Sequence, residues 1–248
     1  MTRQYEDVGI VRGLRRFPVK SMAGEEIEET RVGWHGLEKD RQFALLTPHD
    51  KSGFPWLTSR DFPGLVRYQP SFVDPNNVRE SAVRVRTPGG GDLPIDSPDL
   101  LDELQRDCGQ PIQLIQLWSG VFDAMDISLI SVESIKAIEA LVGHELGQPR
   151  FRSNITIETT PYITRDFPED KLVGGLLKFG DRDDSATIRV KRKDVRCMVV
   201  NIDPLTAKQD PAVLKQIVAQ RKNQLGVYGT TERPGTIKVG DVLRFCKE

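Results

Sequence analysis

Residues 8–19 read VGIVRGLRRFPV, and residues 41–47 read RQFALLT. The first run is rich in β-branched and apolar side chains and stops at Pro18-Val19-Lys20-Ser21; the second is short and apolar. Both favour extended chain over helix. Working outward, Glu25–Val32 alternates loosely around Ile27 and Val32, and Leu65–Val73 follows. Ala82–Thr87 then sets Val83 and Val85 against Arg84 and Arg86. Turn residues separate these runs: Gly33, Gly36, Gly53, Pro63-Gly64, Pro75-Asn76-Asn77 and Gly89-Gly90-Gly91. Several short strands with turn signals between them point to a barrel or a strongly curved sheet.

Helices enter later. Ser97 followed by Pro98 suits a cap and first helical position, with Leu100, Leu101 and Leu104 on one side and Cys108-Gly109 as the stop. Ile112–Leu117 reads as a strand. Ser131–Leu141 predicts a second helix, capped by Ser131, with Glu133 in its first turn and Ile135, Ile138, Leu141 and Val142 as its apolar stripe. Asp210-Pro211 opens a third, running to about Lys222, with Val213, Leu214, Ile217 and Val218 inward. Strands are expected at Asn154–Glu158, Ala186–Val190, Val195–Asn201, Leu225–Thr230 and Val242–Phe245. The fold class is therefore mixed β with peripheral α-helices (α+β). Any division into two units falls near Trp118–Asp123, giving 1–118 and 119–248.

Composition excludes more than it identifies. The 248 residues carry 35 basic and 36 acidic side chains, a net charge of −1 that argues against a nonspecific nucleic-acid binder. No apolar run approaches the roughly 20 residues of a membrane span. The N-terminus MTRQYEDVGIVRG has no apolar signal core, which points away from export and toward the cytoplasm. Three cysteines, Cys108, Cys197 and Cys246, stand far apart without a CxxC, which argues against a disulfide framework and a zinc ribbon. His35, His49 and His144 have no metal-ligand spacing and read as surface or structural residues.

Four constellations can carry chemistry. Cys197 lies where the charge run Lys191-Arg192-Lys193 gives way to an apolar strand. Nearby cations favour thiolate, the form that attacks and that ligates metal; the plainer alternative is a buried strand cysteine. Pro18–Gly24 can offer the Lys20 ammonium, the Ser21 hydroxyl and backbone N–H groups to an anion, or be an ordinary turn; it lacks the Walker spacing. In Gly36–Arg41, Asp40-Arg41 is either a local ion pair fixing a turn or an arginine aimed at a phosphate. Arg150-Phe151-Arg152-Ser153-Asn154 supplies planar guanidinium donors and an amide, or simply a polar lead-in to the strand ITIE. No GxSxG, HExxH or GxGxxG occurs in a suitable context.

Taken together, FPVKSMAGEEI, GLEKDRQFALL, FRSNITIE, RCMVVNIDPLT and LGVYGTTERPGTIKVGDVL resemble, in order along the chain, the MOSC family (the C-terminal domain of molybdenum cofactor sulfurases). The first half resembles the β-barrel domain found N-terminal to MOSC, and the subgroup it looks like is the mitochondrial amidoxime-reducing component with its bacterial counterparts. The resemblance implies an N-terminal β-barrel-like domain packed on a MOSC β-barrel. It implies molybdenum cofactor, with Cys197 as the thiolate ligand to the metal. It further implies cofactor contacts from Lys20 and Ser21, from Arg41, and from Arg152 and Asn154 on the pterin side. Thr58 and Arg60, in LTSR, match a less distinctive segment near the site.

The same resemblance implies reduction of a small N-hydroxylated or N-oxide substrate. Electrons would come from separate proteins, a flavin reductase with an iron–sulfur or haem carrier. No pyridoxal-phosphate domain or clustered-cysteine domain is expected in this chain, so pyridoxal phosphate is not expected as a cofactor. A second reading is a carrier that holds the cofactor, or a persulfide on Cys197, for other enzymes; a third is a cofactor-free interaction scaffold. The chain departs from its relatives at Ser153, where they often have proline. It departs at Asp194, where animal relatives have a second cysteine, and at Asp123-Ala124-Met125-Asp126, where they have a hydroxyl-rich segment. An acidic Asp194 is expected to raise the Cys197 pKa.

Overall fold

The computed structural model describes residues 4–48, 50–122, 124–160 and 166–247; His49 and Asp123 lie outside the described residues. The first half carries β1 (Glu6–Arg16), β2 (Glu25–Ile27), β3 (Glu29–Gly33), β4 (Gly36–Leu37), β5 (Phe43–Leu46), β6 (Gln69–Phe72), β7 (Val83–Arg86), β8 (Asp92–Pro94), α1 (Pro98–Cys108) and β9 (Gln113–Gln116). The second half carries β10 (Ile127–Ser131), α2 (Val132–Val142), β11 (Ile155–Thr159), β12 (Gly175–Phe179), β13 (Thr187–Val195), α3 (Pro211–Arg221), β14 (Gln224–Arg233), β15 (Gly235–Lys238) and β16 (Val242–Lys247). Among the described residues, no helix is long and apolar enough to cross a membrane.

Seven strands close a barrel in the order β11-β10-β14-β13-β12-β16-β1, with β1 returning to β11 and β2 hanging from β1. The stretch at residues 8–19 is thus the closing stave: β1 pairs antiparallel with β11, β16 and β2. Register shifts between Asp7 and Gly9 and between Val11 and Gly13 break its alternation, and Val8, Val11 and Leu14, three apart, all enter a core shared with Ile127, Ile157, Leu177 and Val227. Closure removes the sheet edges that would otherwise stay unpaired. A second core, around Tyr68, Leu65, Leu100 and Leu104, lies under the small sheets β6-β7-β8 and β5-β9 and helix α1. A third joins α2 and α3 to the barrel through Ile138, Val213, Ile217 and Phe151.

The helix caps match the sequence reading. Ser97, Ser131 and Asp210 accept from the backbone N–H of Leu100, Ser134 and Ala212, and Gly109 and Gly143 close α1 and α2 in the left-handed region. Four expectations need correction. Residues 65–67 belong to a 3-10 turn, Pro63–Arg67, because Pro63 presets its first position, and the strand starts only at Gln69. Residues 196–201 are not a strand: β13 ends at Val195 and Met198–Asn201 is a 3-10 turn, a short apolar run that periodicity cannot distinguish from strand. Leu141 on α2 and Val218 on α3 are exposed, since each core-facing stripe is narrower than the apolar pattern suggests.

Candidate functional site

Two segments separated in sequence meet first in the fold. Phe17–Lys20 and Asp40–Phe43 are zipped by Arg41 N–H to Phe17 O (2.6 Å), Lys20 N–H to Phe43 O (2.8 Å) and Phe43 N–H to Pro18 O (3.1 Å). Asp40 is the knot. Its buried carboxylate accepts from Phe17 N–H (2.7 Å) and Asn154 Nδ2 (3.1 Å) and pairs with the Arg41 guanidinium. Arg41 in turn reaches the backbone oxygen of Arg152 (3.1 Å), and Arg152 donates to Met22 O (2.6 Å). Phe17 lies between both guanidinium groups, each 4.5 Å from its ring centre.

These contacts build a cleft between the barrel and the N-terminal sheets. Lys20, Ser21, Arg41, Thr58, Arg60 and Arg152 all line it, and so does Cys197. Ser21 (φ 67°), Arg41 (φ 51°) and Arg152 (φ 52°) sit in the left-handed region, a strained placement for non-glycine residues that recurs at ligand clamps. Lys20 donates to Val121 O (3.4 Å) and lies 5.6 Å from the Phe54 ring, which Arg60 also faces at 5.2 Å. Thr58 is fixed by its hydroxyl bond to Asp61 (2.8 Å).

Asn154 is not on this lining. It is 1 % exposed and sits behind the wall. Its Oδ1 accepts from Ser128 N–H (3.2 Å), Ser128 Oγ (3.1 Å) and Arg41 Nη1 (3.4 Å). Its Nδ2 donates to Arg15 O (3.3 Å) and Asp40. With its amide committed to protein atoms, Asn154 positions Arg41 and Asp40.

Cys197 is exposed rather than buried in a strand. It precedes the 3-10 turn with extended backbone, because the chain leaves the barrel at Val195. The neighbouring cations point elsewhere. Lys193 pairs with Asp170 (2.7 Å), and Arg192 faces the Tyr228 ring (5.6 Å). Arg196 turns inward, donating to Leu225 O (2.7 Å) and Phe151 O (2.8 Å). Gly226, at φ 78°, leaves room for it: a Cβ there would meet an Arg196 nitrogen at 3.0 Å and Leu129 O at 2.8 Å.

Arg196 also pairs with the buried Asp194 at 2.9 Å, an ion pair without hydrogen-bond alignment. Burial raises the Asp194 pKa, opposed by Arg196 and by a hydrogen bond from Tyr228. Burial, then the Asp194 charge, pushes the Tyr228 phenol up to about 12. Asp194, Arg196 and Tyr228 all border the cleft. Sequence reading did not single out Arg196 or Tyr228 as site residues: one follows a charge run and the other sits mid-strand, and only the β13–β14 pairing brings them together.

The remaining candidates are structural. Cys108 ends α1, Cys246 is buried in β16, and His144 pairs with Asp210 (2.9 Å) at the start of α3. Among the described residues, no group of three or more His, Cys, Asp or Glu side chains could hold a metal. A metal at Cys197 must therefore bring its other ligands with it. A pterin dithiolene does so: its soft sulfurs suit a metal that also takes thiolate, and its phosphate suits Lys20, Ser21, Arg41 and Arg152. The donor set fits the group. The cleft encloses about 110 Å³.

The model of the MOSC domain matches residues 120–244, and that of the MOSC N-terminal beta barrel domain matches residues 8–126. No curated protein matches the chain. The solved structure of the YUAD protein from Bacillus subtilis superposes with a TM-score of 0.52 at 13% identity, covering 99% of this chain and 100% of that one. YiiM from Geobacillus stearothermophilus gives a TM-score of 0.37 at 18% identity over 49% of this chain and 54% of its own. The Bacillus likeness concerns the fold alone; the two family models span nearly all of the sequence that builds the barrel and the cleft wall. The chain belongs to the MOSC domain family, which is associated with the molybdenum cofactor.

Proposed function

We propose that this protein binds molybdenum cofactor in the cleft and uses it to reduce N-hydroxylated or N-oxide compounds. The observation that carries the reading is convergence. Six polar residues from four separated segments, Lys20-Ser21, Arg41, Thr58 with Arg60, and Arg152, face one cleft whose mouth holds an exposed thiol. Cys197 would ligate the metal. Lys20, Ser21, Arg41 and Arg152 would hold the phosphate, with Thr58 and Arg60 lining the same cleft. When bound, the cofactor supplies a two-electron redox centre able to remove oxygen from nitrogen.

The net change is R–NHOH + 2 H⁺ + 2 e⁻ → R–NH₂ + H₂O. The protein's own part is positional. Asp40 and Asn154 aim Arg41, Phe17 spaces Arg41 from Arg152, and Tyr228 keeps its hydroxyl proton at neutral pH and shares it with Asp194. Electrons come from a separate flavin reductase through an iron–sulfur or haem carrier. The exposure of Cys197 also favours a second reading, a carrier of cofactor or of a persulfide to other enzymes, because an exposed thiol can be reached by another protein.

Turnover separates the two. Protein made in a host that synthesises the cofactor should convert an N-hydroxylated amidine to the amidine with reduced viologen as electron donor, and Cys197→Ser should not. A metal-loaded protein with no turnover of any N-hydroxy or N-oxide compound contradicts the reductase and leaves the carrier.

A further inference from the structure

A space of about 340 Å³ lies behind the cleft, and one strand of chain forms a wall of both. In Asp40-Arg41-Gln42, the two outer residues line this space while Arg41 lines the cleft. The segment 117–122 does the same, with Trp118 on this side and Phe122 on the cleft side. It is fastened to the shared wall by Leu117 N–H to Gln42 O (2.8 Å), Gln42 Nε2 to Trp118 O (2.8 Å) and Val121 N–H to Arg41 O (2.7 Å). Among the described residues, none lines both spaces.

The outer face is aromatic without burying its aromatics. Trp34 and His35 form the tip of the β3–β4 hairpin, between the paired Gly33 and Gly36. Thr231 Oγ1 donates to Gly33 O (2.6 Å), which pins the hairpin to β14. Trp34 is 66 % exposed and Trp118 80 %, and both line the space. A two-residue hairpin turn has no need of tryptophan, and an exposed indole adds little to a core. Two of the chain's three tryptophans held in one exposed cluster have the composition of a protein-binding hot spot.

The charge of this face is one-sided. Glu38 is paired with Arg79, and Asp40 is buried against Arg41. Asp126, behind Gly36, is opposed by His35. Arg31 and Lys39 remain, with no carboxylate partner among the described residues; Lys39 lies 5.1 Å from the Trp118 ring. The complementary surface is therefore acidic, with an apolar centre to cover the two indoles.

We infer that this face docks an acidic electron-carrier protein, the donor that the reductase reading above requires, and the carrier's place in the reaction rests on that reading. The reduction takes two electrons, so two reduced one-electron carriers are oxidised for each R–NHOH, which with two protons becomes R–NH₂ and water. Docking here sets the carrier against the wall that holds Arg41 and Phe122 and leaves the cleft itself to substrate.

The test compares wild type with Trp34→Ser/Trp118→Ser and with Arg31→Glu/Lys39→Glu, none of which lines the cleft. The probe carrier is a plant-type 2Fe–2S ferredoxin, an acidic one-electron protein, kept reduced by its flavin reductase and NADPH. Reduced viologen, a small donor that needs no docking surface, is the parallel donor. Viologen-driven turnover should be equal in all three proteins. Ferredoxin-driven kcat/KM should fall about tenfold or more in both variants, and salt should lower it more in wild type than in the charge variant. Ferredoxin-driven turnover that is absent, or equal in all three, beside intact viologen turnover overturns the inference. Wild type without viologen-driven turnover contradicts the reductase reading instead. Docking is then decided by calorimetric titration of the cofactor-free protein with oxidised ferredoxin: saturable binding weakened about tenfold in both variants supports it, and no binding overturns it. Self-association of the wild type that is lost in the tryptophan variant assigns the face to a second copy of the chain and also overturns it.

Discussion

Replacing Asn154 by alanine separates two roles that look identical in sequence. If Asn154 reads the cofactor directly, its removal weakens cofactor binding and leaves the fold alone. The structure predicts the opposite order of effects. The side chain makes five hydrogen bonds to protein: Ser128 N–H and Oγ, Arg41, the Arg15 carbonyl and the Asp40 carboxylate. At a net contribution of about 1 kcal/mol each, with water replacing some partners in the space left behind, the loss comes to about 3–4 kcal/mol. For a chain of this size that lowers Tm by about 10 °C. Urea titration at constant pH gives the free energy directly, and cofactor retention is measured on the same samples below the transition. The expected result is a large fall in stability, with cofactor loss following from a displaced Arg41. A variant within about 1 kcal/mol of wild type that nonetheless loses cofactor refutes the reasoning and returns Asn154 to the cleft.

Other perturbations follow from the same contacts. Asp40→Ala strands the Arg41 cation and two buried donors, and should cost about 3–5 kcal/mol in a denaturant titration; a cost under about 1 kcal/mol contradicts its role as the knot. Phe17→Leu removes the ring between Arg41 and Arg152 and should cost about 1–2 kcal/mol while lowering cofactor occupancy; unchanged occupancy shows that the spacing does not matter. Glu169 is fully buried, its Oε2 accepting from Ser131 and Ser134 (2.7 Å each), and burial raises its pKa despite those donors. A carboxyl with a raised folded-state pKa contributes its stability below the unfolded value near 4.3 and loses it as pH rises through the folded value. Glu169→Gln should therefore gain on wild type as pH rises from about 5 to about 9 in urea titrations; parallel curves contradict the assignment.

Much of this was legible because it depends on local chemistry. Caps at Ser97, Ser131 and Asp210 and stops at Gly109 and Gly143 follow from what helix ends need, and the sequence names those residues. The cleft was legible through motif order, since Lys20-Ser21, Arg41, Arg152 and Cys197 are chemically conspicuous and face the same space. Burial was not. Asn154 and Arg152 stand two residues apart with equally polar side chains, yet one lies behind the wall and the other on it, a distinction made by the start of β11. Arg196 was hidden for a related reason: its guanidinium is consumed by carbonyls of Leu225, brought beside it by the β13–β14 pairing, and of Phe151 in the 148–151 turn. Cys197 read as strand because a short apolar run has no period long enough to decide, and its exposure follows from the turn at Met198–Asn201.

The account turns on whether Cys197 holds a molybdenum cofactor. The direct measurement is molybdenum per chain in protein purified from a host that makes the cofactor, beside Cys197→Ser and a known molybdoenzyme from the same cells. Because the side chain is exposed, the serine variant should stay within about 0.5 kcal/mol of wild type, so any loss of metal is a loss of ligation. The account predicts near-stoichiometric molybdenum in the wild type and little in the variant. Wild-type protein without molybdenum while the control is loaded, or equal molybdenum in both proteins, contradicts it.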